Sequence, residues 1–116
     1  METITLIIND APYGTEKPWN ALRLAGALVA SKQRVNIFLL GDAASIAKKG
    51  QKTPTGYYNL GQMVKDLVGS GVSIFACGTC LSARGLEPQE LIEGVSAGKM
   101  LDLSRWVVES PKVLTF

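Results

Sequence analysis

Two cysteines lie three residues apart, in the one stretch of the chain whose residue types favour redox or group-transfer chemistry. Cys77 and Cys80 follow the apolar run Val72–Ala76, which is rich in strand-forming residues and predicts a buried strand. The residues from there to Arg84 can form a helical turn, which Gly85 can end. A thiol at this junction is near unpaired N–H groups and the positive end of the helix dipole, and we expect these to lower its pKa. The pattern predicts sulfur chemistry and leaves its substrate open.

Each of these polar side chains also has a purely structural interpretation. Cys77 could be a small buried side chain, Cys80 could pack inward, and Arg84 could be an exposed helix residue. Two cysteines at one strand end favour a reactive Cys77, with Cys80 as a second thiol and the fixed positive charge of Arg84 nearby. These three residues are therefore the catalytic candidates.

The chain contains no histidine. This excludes Ser-His-Asp and Cys-His catalysis, together with every metal site that uses a histidine. Two cysteines alone do not complete a tetrahedral zinc site, and no GxGxxG or P-loop sequence is present. We therefore expect no metal and no cofactor.

The composition is that of a globular protein. Of the 116 residues, 47% are hydrophobic and 19% are charged, which predicts a single domain over residues 1–116. A formal charge of +2 does not favour a nucleic-acid partner. No apolar run approaches the roughly 20 residues of a membrane helix, and the first residues do not resemble a signal peptide. We expect a cytoplasmic protein with reduced thiols and no membrane partner.

Strand-like and helix-like segments alternate along the chain. The helix predicted over about Glu16 to Ser31 has Trp19, Leu22, Ala25, Gly26 and Val29 on its buried face. Apolar strands that alternate with helices, without hairpin turns between them, predict an α/β fold with three layers and a mostly parallel sheet. The predicted strands are Thr3–Ile8, Val35–Leu40, Val72–Ala76, a short one within Gly94–Gly98, and Val113–Phe116.

Polar residues follow the predicted strands where ligands collect in parallel sheets. Asn9 and Asp10 end the first strand, Asp42 follows the second, and Cys77 ends the third. Because the carboxyl ends of parallel strands share one edge, we expect these residues to meet there and to bind substrate. Asp10 could instead cap a turn, and Asp42 could cap the short helix predicted after it.

Three further residues complete the substrate-binding candidates. Gly78 and Thr79 separate the two cysteines, and Tyr57 lies in the long irregular loop 48–58. Long loops inside small domains are often functional. Tyr57 could instead pack at the edge of the fold, against another subunit.

These motifs resemble the DsrE/DsrF-like family over essentially the whole chain. The most specific part is Cys77-Gly-Thr-Cys-Leu-Ser-Ala-Arg-Gly85 after a strand. An opening strand that ends in Asn-Asp, the Gly56-Tyr-Tyr loop, the Gly98-Lys-Met100 lead into the last helix and the tail Lys112-Val-Leu-Thr-Phe are also similar.

The resemblance implies a parallel five-stranded sheet between helices, assembled into trimers or hexamers. It also implies a sulfur-relay role, in which a cysteine accepts sulfane sulfur as a persulfide and passes it from a donor to an acceptor protein. The family's active cysteine corresponds to Cys77, eight residues before Gly85. Cys80 has no counterpart in the relay members, and a second thiol could resolve a Cys77 persulfide into a disulfide.

Three functional hypotheses follow. The first is a sulfur carrier or sulfurtransferase that uses Cys77. The second is a CxxC dithiol oxidoreductase or redox sensor, although Ala76 stands where thioredoxin-like proteins place a tryptophan. The third is a non-catalytic oligomeric module that binds a small ligand.

Overall fold

The structure, a computed structural model, describes all residues from 1 to 116. None of its helices combines the length and the apolar composition needed to cross a membrane. Two short 3₁₀ helices cover Gly41–Ala47 and Pro88–Glu90. The strands and α-helices are β1 (Thr3–Ile8), α1 (Lys17–Ala30), β2 (Arg34–Leu39), α2 (Leu60–Gly69), β3 (Ser73–Cys77), α3 (Gly78–Ala83), β4 (Ser96–Gly98), α4 (Met100–Glu109) and β5 (Lys112–Thr115).

The five strands form one parallel sheet in the order β4-β3-β2-β1-β5. This confirms the predicted parallel α/β fold, and the five predicted strands differ from the observed ones by at most a residue or two at their ends. Because the sheet is parallel, the carboxyl ends of β1, β2 and β3 lie along one edge. The short β4 adds Gly98 beside Cys77 in register at that edge.

Helices cover both faces of the sheet, which makes the three layers. The chain moves from β1 through β2 and β3 to β4 in one direction, and then crosses back over the sheet to β5. Since such crossovers are right-handed, the helix of the return connection, α4, lies on the face opposite α1 and α2. The face under α1 and α2 holds the larger core, which includes Leu6, Leu22 and Val64.

The face under α4 is packed mainly by aromatic rings. Phe75 stacks on Trp106 at 4.8 Å between ring centroids, and Phe38 meets both rings edge-on at 6.5 and 6.1 Å. Leu103 is buried beside Phe38 and Cys77. This small cluster therefore forms the floor beneath the cysteine at the end of β3.

One prediction for α1 is wrong. Gly26 is exposed, and no heavy atom lies within 4 Å of the position that a Cβ would take. Leu22 and Ala25 are buried as predicted, together with Pro18 and Ala21. The predicted Trp19 and Val29 are partly buried and pack against the same core.

Candidate functional site

Cys77 is both the last residue of β3 and the residue that caps the start of α3. Its backbone leaves the strand with φ −56° and ψ 119°, so that the side chain faces the first turn of the helix. The backbone N–H of Cys80 donates to the Cys77 sulfur at 3.3 Å. The residue is 8% exposed, so its thiol is buried. It nevertheless lies at the edge of the sheet where the strands end.

Cys80 is half-buried in the first turn of α3, and its sulfur contacts the neighbouring strand end. The backbone N–H of Gly41 donates to Cys80 Sγ at 3.2 Å. Gly41 follows β2 with φ +55°, a left-handed conformation that favours glycine. The predicted meeting of the β2 and β3 ends is thus observed, and a backbone donor from one strand end reaches a thiol at the next.

Arg84 links the cysteine turn to Asp42. Its Nη2 and Nε donate to Asp42 Oδ1 at 2.6 and 3.2 Å, and its Nη1 donates to the backbone oxygen of Cys80 at 3.0 Å. The carboxylate raises the pKa of the Arg84 guanidinium, which stays charged at any physiological pH. The positive charge that the sequence places near the thiols is therefore shared with an acidic partner.

Asp42 does not cap the helix that follows it. The 3₁₀ helix begins after Leu40, and no side chain caps its first turn. The Asp42 carboxylate faces Arg84 instead, although the two residues are far apart in sequence. A charge pair across two loops replaces the local capping contact that the sequence pattern favours.

The pKa of the Cys77 thiol is raised, which is contrary to the expectation from its place at a helix start. Burial is the main cause, and the neighbouring Cys80 thiol adds to it. The backbone N–H groups of Cys80 and Thr79 act in the opposite direction but do not compensate. The resting state of Cys77 is therefore the neutral thiol.

Both cysteines open onto a groove of about 810 Å³. Its walls are mainly apolar, and Lys99 is the only charged side chain among them. Gly78 and Thr79, two of the predicted binding residues, are part of the lining. The remaining lining residues are Leu40, Leu81, Ser82, Leu86, Pro88, Ala97, Gly98 and Met100.

The other predicted binding residues lie outside this groove. Asn9 donates through Nδ2 to the backbone oxygen of Phe116 at 3.2 Å, and Asp10 accepts a hydrogen bond from Thr15 at 2.7 Å. Tyr57 is 70% exposed in its loop. These contacts organise the strand-end loops. Asp42, which pairs with Arg84, is likewise absent from the lining, and a role in binding stays a prediction for all four residues.

Sequence reasoning missed the wall of the groove that comes from β4 and the start of α4. Ala97, Gly98, Lys99 and Met100 lie beside the cysteines because β4 pairs with β3 in parallel. The available signal was the Gly98-Lys-Met100 segment, which precedes a predicted helix just as Cys77 does. Without the strand order, nothing placed that segment next to the cysteines.

The arrangement is that of a buried thiol with a second thiol in the same helical turn, at the floor of an apolar groove. The site contains two sulfur nucleophiles and backbone N–H groups that donate to them. The Arg84 guanidinium lies nearby and contacts the backbone oxygen of Cys80. No group of three or more His, Cys, Asp or Glu side chains is arranged to hold a metal ion. The chemistry it can support is attack on sulfur or another soft electrophile.

Comparisons with known proteins find relatives that match this chain over its whole length. The protein YchN of Escherichia coli K12 is 39% identical over 118 residues, with 100% of both chains covered. The protein MJ0989 of Methanocaldococcus jannaschii is 41% identical over 112 residues, with 97% of each chain covered.

Solved structures show the same fold. The crystal structure of the E. coli ychN protein superposes with a TM-score of 0.95, at 39% identity and with 100% of both chains covered. MTH1491 from Methanobacterium thermoautotrophicum superposes with a TM-score of 0.82 at 17% identity, also over 100% of both chains, which is a likeness of fold alone. The model of the DsrE/DsrF-like family matches residues 2–116, and the chain therefore belongs to this family.

Proposed function

We propose that this protein is a sulfur carrier or sulfurtransferase that accepts sulfane sulfur as a persulfide on Cys77 and passes it to an acceptor protein. The observation that carries the proposal is the position of Cys77, at the end of β3 on the floor of the apolar groove. Membership of the DsrE/DsrF-like family supports a role in sulfur relay in general. The groove gives a donor access to the thiol.

The loading step needs the Cys77 thiolate. The thiolate attacks the outer sulfur of a donor persulfide, a bond forms between the two sulfurs, and the donor leaves as its own thiolate. The persulfide anion that results on Cys77 lies against the N–H of Cys80, which donates to the Cys77 sulfur at 3.3 Å in the resting state. Because the pKa of Cys77 is raised by burial, the step depends on a base or a donor that takes the proton.

The relay requires partners, and we propose a sulfur-donor protein, a sulfur-acceptor protein and other copies of this chain. The face of α4 that points away from the sheet supports homo-oligomerisation, since it exposes Leu101 by 67% and Val108 by 83%. Exposed apolar side chains in a row favour a protein contact. A trimer or a hexamer is the form expected from the family resemblance.

Light scattering after size exclusion tests the assembly. We expect Val108→Asp to dissociate the oligomer, because it places a charge in the apolar contact. Ala27→Asp, at an exposed position of α1 on the other face of the sheet, is the matched control and should leave the assembly intact. A wild-type protein that is monomeric at micromolar concentration would contradict this part of the proposal.

Intact-protein mass tests the chemistry. Each protein is incubated anaerobically with inorganic polysulfide, desalted and measured. We expect Cys80→Ser to gain one sulfur atom, about 32 Da, and Cys77→Ser to gain none. The two variants are matched, since each removes one sulfur from the same turn.

Three outcomes would reject persulfide loading on Cys77. A gain of sulfur by Cys77→Ser would move the acceptor to Cys80. No gain by Cys80→Ser, together with a loss of two hydrogens, about 2 Da, from the wild type, would favour a dithiol oxidoreductase. If no protein changes mass, a module that binds ligands without covalent chemistry is the better explanation.

A further inference from the structure

The second cysteine has a role that sulfur carriage alone does not require. Cys77 and Cys80 are three residues apart at the start of one helix, where such residues face each other across a single turn. Both line the same groove, and the Cys80 backbone is already in contact with the Cys77 sulfur. A sulfur carried on Cys77 therefore has a second thiol of the same chain as its neighbour.

Cys80 is the less buried of the two thiols and lies against the end of the neighbouring strand. The Gly41 N–H points at its sulfur at 3.2 Å, and the Arg84 guanidinium is held against its backbone oxygen at 3.0 Å. The Cys77 sulfur likewise accepts from a backbone N–H, that of Cys80, but it is more deeply buried. This difference in burial favours Cys80 as the thiol that attacks in a step that follows the loading of Cys77.

We propose that Cys80 resolves the Cys77 persulfide and releases its sulfur as hydrosulfide, so that the protein is a sulfane-sulfur reductase. This inference rests on the proposed loading of Cys77. The Cys80 thiolate attacks the inner sulfur, Cys77 Sγ, and a Cys77–Cys80 disulfide forms. The bond to the outer sulfur breaks, and that sulfur leaves as HS⁻ with the electron pair of the bond and with the proton that the Cys80 thiol gave up.

The electrons of this step balance within the protein. The sulfane sulfur is reduced by two electrons to sulfide, and the two cysteines are oxidised by two electrons to one disulfide. No external reductant is needed for the first turnover. Further turnovers need a dithiol reductant to return the disulfide to two thiols, and without it the protein stops after one sulfide per chain.

A single-turnover experiment tests the inference. Wild type and Cys80→Ser are loaded anaerobically with inorganic polysulfide, freed of the donor by rapid desalting, and followed by intact mass and by colorimetric sulfide assay. We expect the wild type to lose its added sulfur, about 32 Da, and to end about 2 Da below the reduced protein, with one sulfide released per disulfide. Cys80→Ser should keep its sulfur at least about tenfold longer, since it lacks the resolving thiol.

The same experiment separates failure of this inference from failure of the loading proposal. If the wild type keeps its persulfide as long as Cys80→Ser does, Cys80 is not a resolving thiol and Cys77 is a simple carrier. If Cys80→Ser takes up no sulfur, the loading proposal itself is wrong. A wild-type disulfide that forms without an equivalent of sulfide would also overturn the inference. The two electrons lost by the cysteines would then have reduced something other than the sulfane sulfur.

Addition of dithiothreitol tests the second half of the cycle. With excess polysulfide and dithiothreitol, we expect the wild type to release sulfide faster than the same mixture containing Cys80→Ser. The protein-free mixture measures the direct reaction of the reductant with polysulfide. Equal rates for wild type and Cys80→Ser above that background would exclude turnover through the Cys77–Cys80 disulfide.

Discussion

Because Gly98 has no side chain, the aromatic rings beneath the site pack directly against its backbone. A methyl group at this position should therefore destabilise the protein. Gly98 is buried in β4 and pairs in register with Cys77. A Cβ at this position would lie 2.9 Å from Phe75 Cδ2 and 3.0 Å from both Phe75 Cβ and Phe38 Cε2. The Phe75 Cβ cannot move without moving β3, which ends at Cys77 two residues later.

The expected magnitude for Gly98→Ala is the difference of two effects. Overpacking of a well-packed core costs about 1–3 kcal/mol. Replacing glycine by alanine also restricts the unfolded chain, which stabilises the folded state by about 0.4–1 kcal/mol. We therefore expect the free energy of unfolding to fall by about 1–2 kcal/mol.

Urea unfolding followed by tryptophan fluorescence measures this change, because Trp106 stacks on Phe75 in the same cluster. The control is Gly26→Ala, at the exposed helical position with open space around it, where we expect a gain of about 0.5–1 kcal/mol. Both proteins should be compared at several concentrations, so that assembly does not distort the midpoint. If Gly98→Ala is as stable as wild type or more so, the close packing of β4 against the phenylalanines is not rigid and the reasoning fails.

Three further predictions concern the charges and the aromatic contacts. The folded state holds the Cys77 proton more tightly than the unfolded chain does. The free energy of unfolding should therefore fall as the pH rises through and above the ordinary thiol pKa of 9.0. Urea unfolding curves recorded at a series of pH values measure this fall, and Cys77→Ser should reduce it. Asp42→Asn should leave the urea midpoint nearly unchanged, because the side chains of Asp42 and Arg84 are 66% and 33% exposed; a large loss would mean that the pair holds the two loops together. Tyr58→Ala should lose about 1–3 kcal/mol in the same assay, because the ring stacks between Trp19 at 4.6 Å and Tyr13 at 5.4 Å, whereas Tyr58→Phe should keep the stacks and the stability.

The sheet could be predicted from the sequence because its strands are encoded locally. Segments such as Thr3–Ile8 and Val72–Ala76 are apolar on both sides, as strands are when helices cover both faces. The place of the cysteine turn followed from the same reasoning, since Cys77 directly succeeds a strand-forming run. To predict that the cysteines share a sheet edge with the other strand ends, only the parallel direction of the strands was needed in addition.

The sign of the Cys77 pKa shift could not be predicted in the same way. Its position at the start of α3 is local and lowers the pKa, but its burial comes from residues distant in sequence, Phe38 in β2 and Leu103 in α4. Burial outweighs the two backbone donors, so the net direction depends on packing that no local pattern contains. The pairing of Asp42 with Arg84 was missed for the same reason, because a capping role is the local solution and the ion pair is a tertiary one.

The raised pKa of Cys77 and the pairing of Asp42 with Arg84 both bear on how reactive the two thiols are. A carrier with a permanently ionised Cys77 would react with any oxidant or electrophile that entered the groove, whereas a buried neutral thiol reacts only when a donor fills the groove and the proton is removed. Arg84 shares its charge with Asp42 and contacts the backbone oxygen of Cys80 rather than a sulfur, and burial keeps the pKa of Cys77 raised. The two thiols of this helical turn differ in burial, since Cys77 is 8% exposed and Cys80 is half-buried. Our proposal that the more exposed thiol attacks the sulfur held on the buried one rests on this difference, and it is the physical reason to expect reductive release rather than carriage alone.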